Sequence, residues 1–168
     1  MEIIYIGLSI VQAVAIALGV GSSTLAIVSF FVAIADGKIE PDERKMLGVI
    51  YILLRIAMVL IVVTTAILGL IQIKTGAEAY STPFIISRWI LIAILFLNAV
   101  LMTKHIMPSK FGPSIQAASW YTLGVTMTLV PLNLAQYSVT EFFMGYSVAI
   151  IVAIALVNGI MAHLKKHR

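Results

Sequence analysis

Five stretches of this chain, at about 3–35, 46–73, 84–103, 114–131 and 142–162, hold between them only two charged residues, Arg55 and Arg88. Each meets the roughly 17–25 apolar residues that a helix needs to cross a bilayer. The whole chain is 61% hydrophobic and 11% charged, against about 25% charged in soluble domains. A water-soluble fold of this size has too little interior for so much apolar surface. The expected class is therefore an all-α, polytopic transmembrane helical bundle, with five spans in one domain over residues 1–168. The first two stretches exceed an untilted span, so tilt, a break or projection beyond the membrane has to absorb the excess. The N-terminal segment MEIIYIGLSIV lacks a basic region and a small-residue cleavage signature. It reads as a first span and not as a secretory leader. An odd number of spans disfavours an inverted repeat within the chain.

The boundaries carry helix signals. Pro41, Pro83 and Pro113 stand where first-turn prolines are expected. Ser81 or Thr82 can cap the third helix, and Ser138 with Glu141 forms an S-x-x-E capping box for the fifth. Gly37 suits the left-handed position that ends the first helix. Basic residues set an orientation. Lys38, Arg44, Lys45, Lys104, Lys110, Lys165, Lys166 and Arg168 fall on one side of a five-span path, and Lys74 and Arg88 on the other. The positive-inside rule then puts the N-terminus outside and the C-terminus inside. Tyr80, Phe84, Trp89, Tyr137, Phe142 and Phe143 are expected as an outer aromatic belt, and Phe111 marks the inner one. The expected location is an integral membrane one, the cytoplasmic (inner) membrane of a prokaryote. The formal charge of +4 follows from those cytoplasmic loops and implies no nucleic-acid partner.

Residues 34–47, IADGKIEPDERKML, form the first cytoplasmic turn. The D-G-x-I pattern followed by an acid resembles the second half of a calcium-binding EF-hand loop. The positions that should supply the first carboxylates hold Val32 and Ile34, too few oxygens for a hard cation. The same 14 residues resemble a helix–turn–helix corner of the helical domains associated with tellurite resistance, and that resemblance implies a turn and no activity.

Arg55 interrupts the run LGVIYILLRIAMVLIVV at residues 47–63. Helices one and two are antiparallel about this turn, so equal rise sets Arg55 level with about residues 22–26. That level holds Ser22, Ser23 and Thr24, and it continues a small-residue stripe, Ala15, Gly19, Ser23. Such stripes let helix backbones approach closely. An arginine leaning toward its helix N-terminus ends nearer the inner boundary. Asn98, Ser119 and Asn158 lie roughly 6–8 Å inside that boundary on three other helices, at 1.5 Å per residue. No Asp or Glu falls inside an apolar stretch. An intramembrane cation without an ionised partner is a functional-site candidate. The partner it suits is a small anion or a lipid headgroup; an arginine that only ties helices together is the structural counterpart.

Other chemistry has thinner support. The absence of cysteine excludes disulfides and thiolate chemistry. No H-E-x-x-H, G-x-S-x-G or phosphate-loop pattern occurs, so catalysis has no motif behind it. His105 and His163 end helices three and five on the same side, and could hold haem, or copper with nearby methionines. The sequence therefore predicts no cofactor, with that pair as the weaker alternative. The leading expectation is a channel or carrier subunit for a small anionic solute. Arg55 attracts the solute, and Ser22, Ser23, Thr24, Asn98, Ser119 and Asn158 line its path. Five helices make a thin wall, which points to a homo-oligomer in the bilayer. The alternative is a non-transporting membrane module, an assembly partner or a redox subunit using His105 and His163.

Overall fold

The computed structural model describes residues 2–35, 40–75, 81–104, 106–108, 111–130, 132 and 134–166, without the side chains of 33–35, 75 and 164–166. Gly37 and His105 lie outside the described residues. The described residues form five helices and no strand: α1 (Glu2–Ala35), α2 (Pro41–Thr75), α3 (Thr82–Thr103), α4 (Gly112–Leu129) and α5 (Val139–Lys166). Four of them, α1, α2, α3 and α5, are long and apolar enough to cross a membrane. The chain is an integral membrane helical bundle.

The expected start signals operate. Phe84 N donates to the side chain of Ser81, and Pro83 sits in the first turn of α3. At α5 the capping box closes in both directions. Ser138 N donates to Glu141 Oε2 at 2.7 Å, and Glu141 N donates to Ser138 Oγ at 3.2 Å. These bonds satisfy backbone donors that a helix start otherwise leaves open. At α2, Glu40 N donates to Glu43 Oε2 at 2.8 Å, with Asp42 and Glu43 on the positive end of the helix dipole.

α4 differs from its neighbours. It has 18 residues, about 27 Å at 1.5 Å per residue. Ser114, Gln116, Ser119 and Thr126 are all buried on it. Polar side chains facing inward lower its hydropathy but not its fit to the bundle, because α4 packs against α1, α3 and α5. It is the central helix. α1 meets it closely at Gly19, where a Cβ would overlap the Trp120 ring. Ala15, Gly19 and Ser23, the small-residue stripe, are buried, so α1 can lie close to its partners. Trp120, Leu123, Leu91, Leu95 and Ile61 form the fully buried centre. Around it, Ile3, Val14, Leu70, Leu97, Val125, Ile151 and Leu156 are exposed, as lipid-facing residues of a bundle in hydrocarbon would be.

Interhelical polar pairs tie the bundle together. Gln12 Nε2 donates to Thr65 Oγ1 at 3.0 Å between α1 and α2. Ser119 Oγ and Tyr146 OH lie 2.7 Å apart between α4 and α5. Away from water each such pair satisfies groups that would otherwise be costly to bury.

The aromatic belt is split by helix azimuth. Trp89 and Phe143 are exposed, whereas Phe84 and Phe142 turn into the core. Phe142 stacks on Tyr146 with ring centroids 5.8 Å apart and on Tyr137 at 6.4 Å. Tyr80 lies outside the described residues.

Candidate functional site

α2 and α3 touch only slightly, while α1–α2 and α3–α4 are each well packed pairs. The gap between the pairs is a cavity of about 420 Å³. It sits at the end of the bundle where α1 and α3 finish and α2 and α4 begin. Its α2 wall is Tyr51, Leu54, Arg55 and Met58; Ser23, Ala26, Ile27 and Phe30 come from α1. Ala99, Met102 and Thr103 face it from α3, and Gln116 from α4.

The 3.6-residue period of α2 sorts that wall. Leu54 and Met58, four apart, are buried and form the inner side. Tyr51 and Arg55, also four apart, are exposed and form the lip. Arg55 shares the cavity with Ser23 and Ala26, which is the level antiparallel counting assigns it. Among the described residues Arg55 has no hydrogen-bond or ion-pair partner, and it is the only ionised group among the cavity's described lining residues.

Gln116 brings a second donor. Asn98 Nδ2 donates to Gly112 O at 2.9 Å and to Gln116 Oε1 at 3.0 Å. Gly112 permits this approach: a Cβ there would crowd Met102 and Met107. Because Asn98 occupies the carbonyl end of the Gln116 amide, the NH2 end turns toward α2. There it meets only Met58 Sδ at 3.9 Å, a weak acceptor. Met58 is one turn of α2 beyond Arg55, about 4.5 Å along the axis. Gln116 is 7% exposed. The cavity thus holds one guanidinium and one under-used amide N–H group. Its hydroxyls are partly committed: Ser23 Oγ donates to Val20 O and Thr103 Oγ1 to Ala99 O.

The predicted site residues separate into three groups. Arg55 and Ser23 line the cavity, and Asn98 stands one layer behind it holding Gln116. Ser22 is buried but outside the lining, and Thr24 bonds to Val20 O and to Tyr121 OH at the α1–α4 contact. Ser119 is committed to Ile115 O and Tyr146, and Asn158 is half-buried on α5 away from the lining. Sequence reading missed Gln116. The available signal was a glutamine one turn after Gly112 on the helix that falls short of the hydropathy of a span; its pairing with Asn98 shows only in the fold. His163 is exposed near the end of α5. Among the described residues no three His, Asp or Glu side chains group as metal ligands.

A second cation lies at the opposite end. Arg88, counted from sequence with the outer-side charges, is 7% exposed on α3. Beside it Ser87 Oγ and Tyr137 OH lie 2.8 Å apart. Burial pushes the Tyr137 hydroxyl above its ordinary value of 10.0, and the bond to Ser87 and the charge of Arg88 partly offset this.

Compared with known protein families, with curated proteins and with solved structures, the chain matches none.

Proposed function

We propose that this protein is a carrier subunit that binds a small anionic solute at Arg55. The observation that carries the reading is the donor set of the cavity. Arg55 has no acidic partner among the described residues, and Gln116 presents its amide N–H to the same space. An exposed intramembrane arginine at the lip of a cavity suits an anion. The anion supplies acceptors to both donors at once.

A carrier fits better than a channel. Beyond Met58 the bundle is filled by Ile61, Leu91, Leu95, Trp120 and Leu123, so the cavity ends against packed side chains. Passage then requires α2 to move away from α3, and their slight contact is the seam along which they can part. The excess of Lys and Arg at the cavity end supports a cytoplasmic side for it, with α4 read as a fifth, polar-cored span. A homo-oligomer remains part of the proposal because one bundle holds one cavity at one end.

Anion flux into liposomes tests the reading. Wild type is expected to move at least one anion of a chloride, phosphate, acetate and succinate panel. Arg55→Ala should lose that flux at least tenfold, and Arg55→Lys should retain part of it. Equal flux from wild type and a folded Arg55→Ala protein would overturn the proposal.

A further inference from the structure

Resting on the anion reading above, we infer that the ligand is an amphiphilic monoanion, a single carboxylate or phosphodiester head on an apolar body, admitted sideways from the bilayer between α2 and α3. Three observations converge. The first is charge: Arg55 is the only ionised group among the described lining residues. One cation neutralises one negative charge, and a second charge on the ligand would be left uncompensated at low dielectric. The second is the rest of the wall. Phe30, Leu54, Met58, Met102 and Met107 are apolar, and methionine adapts to flexible chains. A hydrated inorganic ion gains nothing from them, whereas an alkyl or aromatic body does. A cavity of about 420 Å³ lies in the range of sites for small organic molecules.

The third observation is access. The lip formed by Tyr51 and Arg55 lies on the exposed face of α2, opposite the exposed Thr103 of α3. These helices barely meet, so the opening faces the lipid side of the bundle. A molecule dissolved in the leaflet, head near the interface and tail inward, is already oriented for it. The head pairs with Arg55 and the Gln116 N–H, and the body lies against the methionines. A free organic acid and a membrane phospholipid share this chemistry.

The test is calorimetric titration of the purified full-length protein in lipid nanodiscs with acetate, butanoate, hexanoate, succinate and phosphate. Each buried methylene is worth up to about fourfold in affinity. Hexanoate should therefore bind at least about tenfold tighter than acetate, with succinate and phosphate weaker than butanoate. Arg55→Gln should abolish the saturable component. Met102→Ser should flatten the dependence on chain length while saturable, Arg55-dependent binding persists, which a merely unfolded variant would not do. The two sources separate by competition. If phosphatidylglycerol in the nanodisc displaces hexanoate, the natural ligand is a lipid; if phosphatidylglycerol and phosphatidylcholine discs give the same affinity, it is a free organic acid. Arg55-dependent binding of acetate or phosphate with no gain from chain length would overturn this inference and leave the anion carrier standing. No Arg55-dependent binding of any of these anions would overturn both.

Discussion

The two ends of the bundle treat the same side chain in opposite ways. At the far end Arg88 is enclosed beside the Ser87–Tyr137 pair, with Phe84, Phe142 and Tyr146 packed around the same region. Ser81 Oγ also donates to Ala135 O at 3.1 Å, fastening the chain before α5 to the start of α3. At the near end Arg55 faces open space, with a neighbouring amide held ready by Asn98. One arginine is part of the packing and the other borders a cavity that packing leaves open. A guanidinium in a membrane is thus not informative by its charge alone. What it faces decides whether it serves the fold or a ligand.

Substitutions at the two ends should separate stability from binding. The largest loss of stability is expected from Phe142→Ala, which removes a 6% exposed ring stacked on two others. It should cost about 3 kcal/mol, the low end for a buried Phe because lipid and not water fills the alternative state. Thermal unfolding in detergent would show it, and anion binding at the working temperature should survive. Arg88→Met comes next, at about 1–3 kcal/mol. A higher melting temperature for that variant would mean that Arg88 is a cost to the fold and would erase the contrast.

Arg55→Ala should move stability by less than about 1 kcal/mol, because the side chain is exposed and makes no described contact that folding needs. It should still abolish anion binding. A large drop in melting temperature would make Arg55 a structural residue like Arg88. Gln116→Leu should weaken binding about three- to tenfold, the scale of one hydrogen bond, measured as a shift in half-saturation.

The smallest effect concerns pH. Tyr137 has a raised pKa in the fold, so the folded state favours the neutral phenol. That contribution is fully present below about pH 10 and is lost as pH rises through the raised value. Melting temperature should fall at alkaline pH, and Tyr137→Phe should fall less steeply.

Depth was legible in the sequence and azimuth was not. Helix count, helix ends and the capping of α3 and α5 follow from apolar length and from Ser81, Ser138 and Glu141. The level of Arg55 against Ser23 follows from counting residues out from one turn. Counting cannot say which way a helix faces. Ser119 and Asn158 lie at a similar depth to Asn98, yet Ser119 turns to Tyr146 and Asn158 lies on α5 away from the cavity. Arg88 and Phe84 sit near a helix start, where exposure is the natural expectation, and both face inward. Gln116 becomes visible only once α3 and α4 are placed together, since its importance lies in the pairing with Asn98.

The close fit of Trp120 against Gly19 has a consequence for optics. The chain carries two tryptophans; Trp89 is 42% exposed and Trp120 is fully buried. With Trp89→Phe, all indole emission would come from the centre of the bundle, one turn along α4 from Gln116. Any parting of α1 from α4 as the cavity fills would be read as a change in colour, without a label attached.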